Sequence, residues 1–279
     1  LDQSGRAHKL GLERSGRRWK ARLDGQDLSL LSALTRQLPL VLMEPNSHLL
    51  ISGTPEHRRR YLDWGVFHVE PAFLDNWRRY ARVLKQRNAA LRERDAAVLD
   101  SLDEVMAPLG EQQDAYRQAY FDALVPTFEA QKLDGAAQLT DVQLHYHKGW
   151  KGESLHEALV KARQRDLEQG ITHLGPHRAD ILLSRKQQAI KTLLSRGEQK
   201  SLAARLLLSQ ARLLAATGEP PLVLLDDLAS EFDAEQMQLV LASATRCAGQ
   251  VWVTGTAAIP VQGSHKTFHV EHGNVAEMV

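Results

Sequence analysis

One cysteine, Cys247, occurs in 279 residues. A single thiol forms no internal disulfide and supplies no ligand pair, so nothing points to a secreted disulfide scaffold or a cysteine zinc site. No apolar run approaches the roughly 20 residues that a helix needs to cross a bilayer, which excludes a membrane-spanning helix. Neither sign of charge is in excess: 35 Lys and Arg face 34 Asp and Glu, a net charge of +1, so the chain is not a uniformly basic nucleic-acid binder. An initiator methionine is missing too. Leu1-Asp2-Gln3-Ser4-Gly5-Arg6 shows neither the basic nor the apolar region of a secretory signal, and the expected setting is cytoplasmic, with no membrane partner. There is no internal repeat and no low-complexity segment.

What is present is a chain long enough for one large domain or two smaller ones, with its charge placed unevenly. Residues 6–22 contain Lys9, Arg14, Arg17, Arg18 and Lys20, and residues 58–94 contain Arg58, Arg59, Arg60, Arg78, Arg79, Arg82, Lys85, Arg87 and Arg92. Either stretch is a candidate to meet phosphate, and either is equally read as a solvated helix or hairpin face. Residues 19–30 alternate as strands around Asp24-Gly25, a hairpin turn signal. A short helix and a strand at 38–43 follow, ended by Glu44-Pro45-Asn46. Pro55 begins a helix, and a long one follows Pro71, with Phe73, Leu74, Trp77, Tyr80, Ala81 and Leu84 on one stripe. A further helix is expected over 96–132, interrupted near Pro108-Leu109-Gly110. Beyond a strand near 142–146 and a helix at 154–168, strands near 181–184, 222–225 and 251–254 alternate with helices at 196–216 and 234–246, the punctuation of an α/β fold. Residues 267–274 read as a closing hairpin.

The strongest chemical signal is Pro220-Pro221-Leu222-Val223-Leu224-Leu225-Asp226-Asp227. Four consecutive apolar residues suit a strand buried on both faces of a parallel sheet, and two carboxylates stand just past its C-terminal end, where open α/β sheets bind ligands. Adjacent acids there suit a phosphate-bound Mg²⁺ and a nearby water. The plain alternative is an acidic loop after a buried strand. Upstream, Leu193-Leu194-Ser195-Arg196-Gly197-Glu198-Gln199-Lys200 opens a helix. Ser195 and Glu198 have the spacing of a capping box, while the same helix start, with Gly197 allowing close approach, is an anion site.

The two segments together resemble ABC-type ATPases: Leu194-Ser195-Arg196-Gly197-Glu198-Gln199 is similar to the signature motif, and Leu222 to Asp233 to a Walker B strand running into a D-loop. Within that class, His173-Leu174-Gly175-Pro176-His177-Arg178-Ala179-Asp180, Arg59-Arg60-Tyr61-Leu62-Asp63-Trp64-Gly65 and Leu84-Lys85-Gln86-Arg87-Asn88-Ala89-Ala90-Leu91 resemble the RecF family. The likeness runs over nearly the whole chain. It implies an α/β fold, an ABC-type P-loop ATPase head whose Walker A lobe is missing, with an inserted, mainly helical arm domain: residues 1–45 and 171–279 as the two ATPase lobes, 46–170 as the arm. It implies ATP and Mg²⁺ as cofactors, Asp226 as the acid supporting Mg²⁺, Asp227 as the catalytic group, Ser195, Gly197 and Glu198 at the γ-phosphate of a second subunit, and Ser230 and Asp233 at the dimer seam. ATP would then hold a homodimer together, with slow DNA-stimulated hydrolysis releasing it. The implied partners are DNA, as single strands, gaps or junctions, met by Arg58, Arg59, Arg60, Arg78, Arg79, Lys85 and Arg87, and the mediators RecR and RecO. The implied outcome is RecA loading in support of replication and the SOS response.

The sequence departs from the family's pattern in three places. No Gly-x-x-x-x-Gly-Lys-[Ser/Thr] occurs, so the chain alone is expected to bind ATP poorly and to be inactive, and a RecF chain would carry that loop upstream of the position of Leu1. Glu44-Pro45-Asn46 stands where a glutamine is usual, and Thr254-Gly255-Thr256 where a switch histidine is usual. Two rivals remain: a non-catalytic DNA-binding scaffold of ABC-like shape, which an upstream phosphate loop would oppose, and an SMC-type head, which would need long heptad coiled coils. The pairs His173, His177 and His145, His147 are read as structural rather than metal ligands. Trp64, Trp77 and Trp150 are read as core rather than as base-stacking platforms.

Overall fold

The computed structural model describes residues 7–16, 18–131, 139, 141–190, 193–256, 259, 261 and 263–278. Leu1 to Arg6, Arg17 and the last residue of the helix expected over 96–132 lie outside them. The chain opens with an antiparallel meander of β1 (Leu10–Ser15), β2 (Arg18–Leu23) and β3 (Gln26–Leu28). Asp24 and Gly25 both take positive φ, 52° and 84°, as a tight two-residue hairpin requires. Helix α1 (Leu31–Gln37) then leads into β4 (Leu40–Met43).

A helical region follows: α2 (Leu49–Ser52), α3 (Pro55–Val69) with proline in its first turn, α4 (Phe73–Glu93) and α5 (Ala96–Ala130). The expected break near Pro108 does not occur, and α5 runs through both Pro108 and Pro126. Packing explains why. A Cβ at Gly110 would lie 2.4 Å from Leu155 Cδ2, so this glycine admits a neighbouring helix rather than ending its own. The Leu109 carbonyl also accepts a 3.1 Å bond from Asn76 Nδ2. Tertiary packing thus offsets the hydrogen bond that an internal proline removes.

Next come β5 (Val142–His147), α6 (Leu155–Gln169), β6 (Asp180–Arg185) and β7 (Gln188–Ala189). Ser154 caps α6 and Gly170 ends it at φ 66°, the usual serine start and left-handed glycine stop. Contrary to the α/β reading of 181–184, β6 pairs antiparallel with β5 and stands outside the parallel sheet. Its Ile181 and Leu183 are buried while Leu182 is exposed, the alternation of a sheet covered on one face.

The remaining elements are α7 (Arg196–Ala216), β8 (Leu222–Leu225), α8 (Leu228–Glu231), α9 (Ala234–Cys247), β9 (Gln250–Val253) and the hairpin β10 (Thr267–Glu271) and β11 (Asn274–Met278). Strand β8 lies between β4 and β9, parallel to both. Val41, Met43, Val223 and Leu225 pack on Ala204, Leu208 and Ala211 of α7 and on Met237, Val240 and Leu241 of α9. The opposite face differs from the sequence expectation. Leu42, Leu224 and Trp252 are in register across the three strands, and Leu42 and Trp252 are exposed by 43% and 51%. Among the described residues, then, the sheet is covered on one face. Nor is any described helix long and apolar enough to cross a membrane.

Candidate functional site

The parallel sheet delivers Asp226 and Asp227 to one edge. Asp226 N donates to Met43 O at 2.8 Å, so the chain leaves β8 still tied to β4. Asp227 turns into the left-handed region, φ 50° and ψ 44°, which non-glycine residues seldom adopt and aspartate tolerates better than most. Ser230 holds it there: its hydroxyl donates to Asp227 Oδ2 at 2.6 Å, and its backbone N to Asp227 O at 3.0 Å. Asp233 closes the segment as the cap of α9, accepting from Gln236 N at 2.8 Å.

Thr254, just past β9, stands where the sequence lacks the usual switch histidine, a position to which the sequence assigns no role. Its hydroxyl donates to Asp226 Oδ1 at 2.6 Å and accepts from Asp227 N at 3.0 Å. Its backbone joins the same turn, Thr254 N to Leu225 O at 2.9 Å and Leu228 N to Thr254 O at 3.3 Å. Among the described residues Asp226 Oδ2 accepts no hydrogen bond. The donor set is therefore one open carboxylate oxygen beside a second acid, which suits Mg²⁺, an ion held through one or two carboxylates with phosphate and water oxygens completing its shell.

Ser195 caps α7, and the capping box forms in full. Glu198 N donates to Ser195 Oγ at 3.3 Å, while Glu198 Oε2 accepts from Ser195 N at 2.8 Å and from Ser195 Oγ at 2.7 Å. These bonds from the Ser195 side chain and backbone hold the Glu198 carboxyl below its usual pKa. A Cβ built on Gly197 meets nothing within 4 Å, so the helix start is open to approach. An incoming phosphate would compete there with the Glu198 carboxylate for the Ser195 donors. Lys200 Nζ lies 3.1 Å from Glu231, and Ser201 Oγ, which donates to Gly197 O at 3.1 Å, lies 3.5 Å from Gln236 Oε1. The second turn of α7 is thus held close to the segment that follows the two acids.

The arginines named for DNA divide sharply. Arg58 is 9% exposed and makes a two-pronged bond with Asp180, at 2.7 and 3.0 Å. Arg87 is 0% exposed and bonds Asp103 at 2.5 Å, Asp166 at 2.7 Å and Thr172 at 2.9 Å. Both correct the sequence reading: they are committed to internal carboxylates and out of reach of a nucleic-acid backbone. Arg59 is half-buried, donating to Ala179 O at 2.9 Å. Arg60 is exposed and paired with Glu56. Arg78, Arg79, Arg82 and Lys85 are exposed; at helical spacing Arg78, Arg82 and Lys85 fall on one side of α4, opposite its buried Tyr80, Val83 and Arg87. His173 and His177 have internal partners: His173 bonds Asp166 and Gln169, and His177 bonds Tyr80 and Thr172. Trp150 is buried, Trp64 packs partly buried in the core beneath the parallel sheet, and Trp77 is 41% exposed.

No family model matches the sequence. Among curated proteins, the chain is 44% identical to the DNA replication and repair protein RecF of Xanthomonas axonopodis pv. citri (strain 306), over 97% of this chain and 76% of that one. It is 39% identical to the RecF protein of Thioalkalivibrio sulfidiphilus (strain HL-EbGR7), over 95% of this chain and 76% of that one. Among solved structures it superposes with TM-score 0.81 on a recombination mediator RecF described with ATPrS in the RecFOR pathway, at 21% identity over 98% of this chain and 76% of that one. The same mediator described with ATP gives TM-score 0.80, at 21% identity over 94% and 73%. Those two likenesses establish the fold.

Proposed function

Because the chain belongs to the RecF family of DNA replication and repair proteins, we propose that it contributes two separate parts of an ATP site that forms between two copies of the protein. The observation that carries this is the pair Asp226 and Asp227, fixed at the end of a parallel strand with one carboxylate oxygen open. Asp226 would hold Mg²⁺, whose chemistry when bound is to neutralise charge on the β- and γ-phosphates. Asp227 would take the proton of the attacking water. Its side chain is one methylene shorter than glutamate and engaged by Ser230, which supports slow turnover. Ser195 and Gly197, at the start of α7, would meet the γ-phosphate carried by the partner copy, with Glu198 giving way, and Ser230 and Asp233 would lie at the seam. These 279 residues hold no Gly-x-x-x-x-Gly-Lys-[Ser/Thr], and in this reading the cradle for the phosphates is supplied by residues other than these.

In this reading ATP acts as an adhesive between two copies, because a ligand that binds only the closed dimer shifts association by mass action. The closed dimer grips the DNA backbone at gaps or junctions, RecR and RecO are its protein partners, and hydrolysis releases it. The pairing of β4 with β8 supports residues 1–45 and 171–279 as one ATPase head, to which 46–170 is joined by the pairing of β5 with β6. Of the side chains named for DNA, Arg78, Arg79 and Lys85 on α4, with Arg82 beside them, are exposed and placed to meet phosphate. The test is binding of the full-length protein to a gapped duplex with and without ATP. Affinity should rise at least tenfold with nucleotide, on the order of a modest coupling energy; equal affinity in both conditions would leave the scaffold reading standing.

A further inference from the structure

The turn after β9 holds no histidine, and its first residue reaches both acids. We infer that Thr254 is the positioning residue of the pair, fixing which oxygen of Asp226 faces a divalent cation. The inference rests on the proposed nucleotide reading of Asp226 and Asp227. A hydroxyl has one proton and two lone pairs. The Thr254 proton goes to Asp226 Oδ1 at 2.6 Å, and a lone pair receives the Asp227 N–H at 3.0 Å. The two uses reinforce each other, since a donating hydroxyl is a stronger acceptor.

The hydroxyl cannot follow a wandering acid, because Thr254 is itself held at both its backbone groups, to Leu225 O and from Leu228 N. One oxygen of Asp226 is thereby occupied and the other left for the cation, while the left-handed turn at Asp227 is braced through its amide. The Asp226 carboxylate would otherwise turn freely about its side-chain bonds. Thr254 ties it, together with the backbone amide of Asp227, to the end of the neighbouring strand, while Ser230 holds the Asp227 carboxylate. A part in the turn alone would affect stability but not the dependence on cation.

Two variants separate these roles in the full-length protein. Thr254→Val keeps the shape and removes donor and acceptor, and Thr254→Ser keeps both. Binding of a fluorescent ATP analogue is titrated against Mg²⁺, and exchange of the Asp227 amide proton is followed without nucleotide. Thr254→Val should raise the Mg²⁺ needed for half-maximal binding about fivefold, the factor of one typical net hydrogen bond, and should speed Asp227 exchange by a similar factor. Thr254→Ser should match the wild type in both. Unchanged Mg²⁺ dependence or unchanged Asp227 exchange in Thr254→Val overturns the inference. If the wild type binds no nucleotide at any Mg²⁺ concentration, the nucleotide reading itself is overturned, and the exchange measurement still decides whether Thr254 holds the pair.

Discussion

Replacing Arg87 with alanine removes a guanidinium that is 0% exposed from between Asp103 and Asp166, which are equally buried. Each acid keeps one other partner, Asp103 with Arg163 and Asp166 with His173. The cost should therefore be about 3 kcal/mol, the lower end for removing one member of a buried ion pair. Against a typical total stability of about 5–15 kcal/mol, that is a loss visible in any urea titration followed by circular dichroism. DNA affinity of the folded protein, and its salt dependence, should not change. The combined variant Arg78→Ala, Arg82→Ala, Lys85→Ala should do the reverse. Those side chains are exposed, so each costs under about 0.5 kcal/mol, while the slope of log affinity against log salt should shrink by about 2.7, at roughly 0.9 for each duplex phosphate that is no longer neutralised. A stability loss below about 1 kcal/mol in Arg87→Ala would refute the structural assignment. An unchanged salt slope in the triple variant would refute the phosphate surface on α4.

In the full-length protein, Asp227→Asn should retain ATP binding and prolong the dimer while lowering hydrolysis by about 10²–10⁴-fold, the range for losing a general base; single-turnover hydrolysis at the wild-type rate would remove Asp227 from the mechanism. His177 supplies a pH signature. The Thr172 carbonyl can only accept, so Nε2 carries the proton and Nδ1 accepts from Tyr80, at 3.0 and 2.8 Å. Burial lowers this histidine from 6.5 to about 4. The unfolded chain takes up the proton first, so stability from His177 is full above pH 6.5 and falls as pH drops toward 4. His177→Asn should flatten that part of the stability profile in urea titrations across the window, and an equally steep profile would show that other groups cause it.

The elements that carry the site were legible because their sequence signals are local. Four apolar residues followed by two acids announced β8, and Ser195 with Glu198 announced the start of α7. Pairings between distant positions were not. The partners of Arg58 and Arg87 lie 122 and up to 85 positions away, so a buried guanidinium and a solvated one looked alike on a string. Thr254 was read as a missing histidine because its bond to Asp226 spans 28 positions and matches no local pattern. Pro108 misled in the same way: the propensity was read correctly, but packing of Gly110 against Leu155 and Tyr80 outweighed it. The apolar run of β8 suggested cover on both faces, whereas Leu222 and Leu224 are only half-buried, on the face where Leu42 and Trp252 are exposed.

In the proposed dimer, signature and acids from two copies share one nucleotide. Sedimentation velocity of the full-length protein with Mg²⁺ and ATP, beside its Ser195→Arg variant, reads this out. The wild type should pass from monomer to dimer as ATP is added, and Ser195→Arg should remain monomeric while still binding nucleotide. A wild type that stays monomeric at saturating ATP, or a variant that dimerises as readily, would contradict it.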